Sequence, residues 1–160
     1  MPTSSLTARA GQLITASRTS LSNAHVYRSD NDQYAHVNNS IYYHLFDSIV
    51  NTYLITHCGL SPTRSNQIGL VISSSCRFYS PVSFPAVLDL GLRVTKLGKS
   101  SVTYEVAVFE EGQDVPGAVG GYTHVFVDSE TRKSTPMAVR TREGLAQICA
   151  GMKDSVASKL

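Results

Sequence analysis

The stretch SIYYHLFDSIVNTYLITH, Ser40–His57, decides the fold. Ile41, Leu45, Ile49 and Tyr53 recur every fourth residue, and Tyr42, Phe46, Val50 and Leu54 form a second row beside them. Two adjacent rows make a broad apolar stripe, so the spacing predicts a helix over 40–57 with most of its surface buried. Asn38 or Asn39 supplies an N-cap, Gly59 follows Cys58 as a C′ residue, and Pro62 prevents continuation. His44, Asp47 and Asn51 within the stretch rule out a membrane-spanning reading, and no apolar run approaches the ~20 residues a span needs.

On either side the period changes to two. Leu21–Arg28 reads as a strand with Leu21, Asn23, His25 and Tyr27 on one face. Downstream, Gln67–Tyr79 alternates Leu70, Ile72, Ser74, Cys76 and Phe78 against Val71, Ser73, Ser75, Arg77 and Tyr79. Val87–Thr95, Ser101–Glu110 and Ala118–Asp128 continue the alternation, with turns at Leu97–Ser100 and Glu111–Asp114. Arg142–Met152 is predicted to be a short closing helix. The order is one strand, one long buried helix, then a run of antiparallel strands. A single helix with so broad a stripe needs a sheet curved around it, which makes the fold class α+β. The uncovered sheet face or edge needs a second copy, so at least a dimer is expected.

At 160 residues, 42% apolar and 16% charged, the chain fits one globular domain, taken as residues 20–153 after a loose arm of 1–19 and before a tail of 154–160. A net charge of +2 without any basic run gives no case for nucleic acid as a partner. Cys58, Cys76 and Cys149 are odd in number and far apart, which reads as reduced thiols. The five histidines lack metal-ligand spacing, so neither a metal nor another cofactor is expected. The first 29 residues hold Arg9, Arg18 and Arg28 but no acid, a bias seen in mitochondrial presequences. The sequence also ends in Ser158-Lys159-Leu160, the peroxisomal import tripeptide, and the peroxisome with its import receptor is the expectation preferred over mitochondrion or cytoplasm.

The chemistry-bearing segment is RSDNDQYAHVNNSIY, Arg28–Tyr42, where two acids, a His and two Asn stand between a strand and the most apolar helix. Polar groups so near a core need partners or a purpose. A helix N-terminus offers unpaired N–H groups and partial positive charge, able to hold a carboxylate ionised and to polarise a carbonyl oxygen. Asp32 stands seven residues before Asn39, close enough for one acyl group to meet both. The same pattern also serves ordinary capping and turn formation.

The string D-x-D-x-x-A-H-V-N-N-x-x-Y, Asp30–Tyr42, resembles the signature of the 4-hydroxybenzoyl-CoA thioesterase family of hot-dog proteins, which usually has Gly where Ala35 stands. The resemblance continues through Phe46 and Asp47 to Cys58–Pro62, into Arg77–Pro81, Leu97–Ser101 and His124–Asp128, and spans roughly residues 20 to 140. It implies a hot-dog fold, a dimer with paired sheets, an active site at the subunit interface and acyl-CoA as substrate. It further implies that Asp32 is the catalytic carboxylate, that the Asn39 N–H polarises the thioester carbonyl, and that Lys99 and Ser100 contact CoA phosphates. Asp47 is the reserve carboxylate, since another hot-dog branch uses a helix acid. His36 is expected to orient Asp32, to line the pocket or to fix the loop. Asp30 is expected to brace the loop, with Arg28 as its partner. Tyr42 belongs to the acyl pocket or the core, and Arg77 to a phosphate contact or a cross-strand ion pair. If position 35 requires positive φ, Ala strains the turn. Two rival readings stand beside the hydrolase: a hot-dog enoyl-CoA hydratase or dehydratase, and a non-catalytic acyl-CoA-binding module. The mechanism of Asp32 (base or nucleophile), the acyl chain and the choice of dimer or tetramer are left open.

Overall fold

A computed structural model of the chain describes residues 21–149. The elements run β1 (Leu21–His25), a 3-10 turn (Arg28–Asp30), α1 (Asn39–Cys58), β2 (Gln67–Phe78), β3 (Val87–Leu97), β4 (Ser101–Glu110), β5 (Ala118–Asp128) and α2 (Val139–Ala146). The arm 1–19, the tail 154–160 with its terminal tripeptide, and the last residues assigned to the closing helix lie outside the described residues.

The five strands form one antiparallel sheet in the order β1-β3-β4-β5-β2, curled round α1 as a half-barrel, which is the hot-dog fold. The stripe read from the sequence is what the sheet encloses: Tyr42, Phe46, Ile49, Val50, Tyr53, Leu54 and Cys58 are buried, and Ile41 and Leu45 pack partly against the same core. From the sheet side come Leu88, Leu90, Leu92, Val94, Val102, Val106, Val108 and Phe126, all buried. Each such side chain is worth about 1.5–3 kcal/mol when removed from water, so the helix is held by its stripe and not by propensity.

Several boundaries differ from expectation, each for a local reason. Strand β1 ends at His25, because Val26 turns to donate to Ala86 O and the chain enters the 3-10 turn. Strand β2 carries an irregularity between Val71 and Ser73, so Val71, not Leu70 or Ile72, stands opposite His124, while Ser74, Cys76 and Phe78 stand opposite Tyr122, Gly120 and Ala118. One extra residue flips the first half of the strand to the other face. Helix α2 starts at Val139 and ends at Ala146, earlier at both ends than the 142–152 expected. Beyond it Val94 N donates to Ile148 O and Cys149 bridges to Val94, so the chain leaves the helix to dock on β3.

β2 forms one edge of the sheet. β2 is exposed along most of its length, with Ile72 64% exposed and Leu70, Val71 and Phe78 also open. No helix of the described residues is long and apolar enough to cross a membrane.

Candidate active site

The loop between β1 and α1 is held by its own side chains. Asp30 Oδ2 accepts from Tyr27 N (2.8 Å), and Asp30 O accepts from Asn38 N (2.8 Å). Asp30 therefore braces the loop as expected, but through backbone amides instead of Arg28, while Arg93 and Glu105 form an ion pair across β3 and β4. Asn31 Nδ2 donates to Ala35 O (3.0 Å), and Asn31 Oδ1 accepts from Phe84 N (3.2 Å). Val37 N donates to Val82 O (2.8 Å), which ties the loop to the segment following β2.

Within this frame residues 32–36 close on themselves. Asp32 N donates to His36 O (2.7 Å) and Ala35 N to Asp32 O (3.1 Å). Asp32 Oδ1 accepts from Tyr34 N (2.8 Å) and His36 N (3.2 Å), while no described group pairs with Oδ2. One carboxylate oxygen is thus fixed by the backbone and the other has no partner among the described residues. Ala35 sits at φ 63°, the left-handed region where glycine is at ease, so the substitution noted in the signature is accommodated as strain.

Asn38 is the N-cap: its Oδ1 accepts from Ser40 N (3.0 Å) and Ser40 Oγ (2.9 Å). Asn39, the first residue of the helix, has no carbonyl one turn back to receive its N–H, and no other described group accepts it. A cavity of about 300 Å³ lies over this end of the helix, lined by Asp32, His36, Val37, Asn39 and Tyr42 on one side. Phe78, Tyr79, Ser80, Pro81 and Val82 close the other. His36 contributes its backbone N–H to Asp32 and lines the cavity with an otherwise unpaired side chain. Tyr42 is buried in the core and lines the cavity, and burial raises its pKa.

Four expected residues stand elsewhere. Asp47 is exposed, two turns along α1, where its Oδ1 accepts from Asn51 Nδ2 (2.9 Å), and it does not line the cavity. Lys99 and Ser100 form the β3–β4 turn at the opposite end of the sheet. Ser101 pairs with Val125 whereas Phe78 pairs with Ala118, and seven residues of strand amount to about 23 Å. Within one chain, Lys99 and Ser100 cannot reach an acyl group at Asp32. Arg77 faces the outer side of the sheet, in a depression of about 930 Å³ it shares with Arg93, Thr103 and Thr123; its cross-strand neighbour is Val119, so the expected ion pair with a cross-strand acid is absent.

The wall from Phe78 to Val82 was given no role in the sequence beyond Arg77. The strand's end and Pro81 mark it as a loop, but long-range bonds, from Val37 N to Val82 O and from Phe84 N to Asn31 Oδ1, bring it over the helix tip.

The model of the thioesterase superfamily matches residues 34–116, more than half of the chain. The chain belongs to the thioesterase superfamily. It is a thioester hydrolase, in general terms an acyl-CoA thioesterase. Among solved structures, the PA5185 protein of Pseudomonas aeruginosa strain PAO1 is 43% identical, with a TM-score of 0.80 over 82% of this chain and 92% of that one. Two more distant structures share the fold at 15% identity. Slr0204, a 1,4-dihydroxy-2-naphthoyl-CoA thioesterase from Synechocystis, has a TM-score of 0.71 over 79% of this chain and 94% of its own. SAV2348 from Staphylococcus aureus, solved in complex with CoA, has a TM-score of 0.74 over 80% and 82%. No curated protein matched.

Proposed function

We propose that this thioesterase hydrolyses its acyl-CoA in the cavity over the N-terminal end of α1, with Asp32 as the reacting carboxylate. The observation that carries the proposal is that Asp32, with one oxygen held by two amides and the other unpaired, lines the same cavity as Asn39, whose N–H has no acceptor. The thioester carbonyl oxygen lies against that N–H, where the partial positive end of the helix stabilises charge developing on it. Asp32 then either takes a proton from the attacking water or attacks the carbonyl carbon itself to give a mixed anhydride that water opens. In both routes the C–S bond breaks, CoA leaves as thiol and the acyl group leaves as the free acid. The His36 ring, at the cavity rim, is a proton carrier for the leaving sulfur or the incoming water.

The assembly that fits this reading is a homodimer joined along the open edge of β2. Two copies of one strand pair antiparallel about a twofold axis, so the Gln67 end of one meets the Phe78 end of the other. The Lys99–Ser100 turn lies at the Gln67 end. Pairing would carry the turn of one subunit toward the cavity of the next, where its charge meets CoA phosphates; the CoA found with SAV2348 supports a CoA ester as ligand. Arg77, on the outer face near the same edge, is a second phosphate contact. Two such dimers joining into a tetramer is compatible with the outer face. Delivery to the peroxisome through Ser158, Lys159 and Leu160 is part of the same proposal, tested by whether deletion of the three residues releases a tagged chain into the cytoplasm.

The deciding experiment is free-thiol release from a panel of saturated, unsaturated, branched and aromatic acyl-CoAs. Thiol release from saturated esters is expected. Loss of enoyl absorbance without thiol supports the hydratase instead, and thermal stabilisation by CoA esters with no thiol from any of them supports a binding module.

A further inference from the structure

We infer that the ring pair Tyr42–Phe78 is the floor of the acyl pocket and that Phe78 sets the longest acyl group the site accepts. The inference rests on reading the cavity as the thioester site. Its lining divides into an apolar set, Val37, Tyr42, Phe78 and Val82, and a polar set, Asp32, His36 and Asn39. The two rings meet edge to face, centroids 5.1 Å apart at 79°, a packing worth on the order of 1 kcal/mol beyond the area it buries.

Behind the pair there is no room to retreat. Phe46, one turn beyond Tyr42, is fully buried and lies on Gly120 so closely that a Cβ there would come within 2.7 Å of the ring. Gly120 is the cross-strand partner of Cys76, the next inward position after Phe78 on β2. The backing is therefore a ring seated on a bare backbone, and it is rigid. The two halves of the floor in front of it differ. Tyr42 is 2% exposed and anchored in the core, whereas Phe78 is 47% exposed on the edge strand. Phe78 is the half whose size can change without opening the core.

The spacing fixes the class of substrate. Tyr42 lies three residues and Phe46 seven residues beyond Asn39, or about 4.5 Å and 10 Å along the helix axis. An extended chain advances about 1.2 Å per bond, a third of the ~3.6 Å spanned by one extended residue. An acyl chain running along α1 from a carbonyl at the Asn39 N–H meets the floor after about four bonds and the Phe46 backing after about eight. The pocket fits a short aliphatic or single-ring acyl group; a long straight chain would have to displace the floor.

The test is kcat/KM for thiol release over straight-chain acyl-CoAs of increasing length, using the full-length wild type, Phe78→Ala and Phe78→Trp. Wild type is expected to favour short esters. Phe78→Ala is expected to raise the ratio of long-chain to short-chain kcat/KM by about tenfold or more, and Phe78→Trp to lower it, since one methylene fitted or refused in an apolar pocket is worth about 10–200-fold. Size-exclusion elution identical to wild type shows that the edge strand is intact, and Phe78→Trp carries the test alone if the alanine variant does not fold. A length profile unmoved by these substitutions, in protein that still releases thiol, overturns the floor while leaving the hydrolase in place. No thiol from any ester with wild type removes both.

Discussion

At its C-terminal end α1 stops on Gly59, which sits at φ 70° and donates its N–H to Leu54 O. There α2 packs across it, Tyr53 Oη donates to Gly144 O (2.8 Å), and Cys58 is buried with its thiol pKa pushed up to about 11 by burial. At its N-terminal end the same helix is finished in the opposite way. The Asn38 side chain caps Ser40, the Asn39 N–H is left without an acceptor, and a cavity opens over it. The dipole makes the N-terminal end attractive to developing negative charge, whereas the C-terminal end is covered by α2. One end is covered by a packed helix, and the other leaves a backbone donor facing a cavity.

The largest effect should come from removing the carboxylate at the open end. Asp32→Asn keeps an Oδ1 to accept from Tyr34 N and His36 N, so the loop stays closed while the basic oxygen is lost. Its kcat is expected to fall on the order of 10²-fold or more with KM changed far less, because the lost group acts on the transition state. Wild-type kcat in this variant would break the contrast between the ends at its root.

A second effect belongs to the sheet beneath the closed half. His124 is buried with Nδ1 unpaired beside Tyr104 and Tyr122, whose hydroxyls also lack partners. Tyr104 in turn lies within electrostatic reach of Cys58. Space for the His124 ring exists because Gly69 has no Cβ; one there would fall 2.6 Å from Nδ1. Burial pulls the His124 pKa down to about 4. The folded chain therefore keeps His124 neutral while the unfolded chain protonates it below about 6.5. The stability it contributes is whole above that pH and drains away as pH falls toward 4, by ~3 kcal/mol in all. Urea midpoints at pH 7 and pH 4.5 should separate for wild type and draw together for His124→Leu; equal acid sensitivity in the two would clear His124 of the effect.

Gly144→Ala probes the closed end directly. A Cβ there would stand 2.6 Å from Cys58 Sγ and 2.8 Å from His57 O. Overpacking of that kind costs about 1–3 kcal/mol, read as a lower melting temperature. Thiol release per folded molecule should hold, since Gly144 packs on Cys58 and does not line the cavity at the N-terminal end of α1. A fall in kcat beyond the loss of folded protein would show that the two ends are coupled.

What the sequence made legible follows the same division between near and far. The helix could be read because its stripe is written at a period its own backbone imposes, and Asn38, Gly59 and the Asp32 loop because their partners lie within a few residues. The opposite wall, Phe78–Val82, is placed by a bond from Val37 to Val82 across 44 intervening positions of chain, and no local pattern encodes that. The flip of faces at Val71–Ser73 was hidden for a related reason: alternation counts residues, and a bulge adds one without changing their character. Lys99 was read correctly as a basic turn, but its distance from Asp32 is a property of sheet order, and sheet order came only with the fold.

The smallest effect lies in Ala35, and it asks what holds the open end open. Left-handed φ costs a residue with a Cβ about 1–2 kcal/mol, and glycine escapes that cost but adds disorder to the unfolded chain worth about 0.4–1 kcal/mol. Ala35→Gly should therefore raise stability by no more than about 1 kcal/mol. It should leave kcat near wild type, because the bonds from Tyr34 N and His36 N to Asp32 fix the loop in either case. Ala35→Val sharpens the point, since a β-branched side chain tolerates positive φ poorly. If the turn matters to Asp32, this substitution should lower stability and kcat together while Ala35→Gly lowers neither. Should Ala35→Val keep full kcat at reduced stability, the position of the carboxylate would be set by the Val37–Val82 tie from outside the loop, and the left-handed residue would be only a toll of the turn.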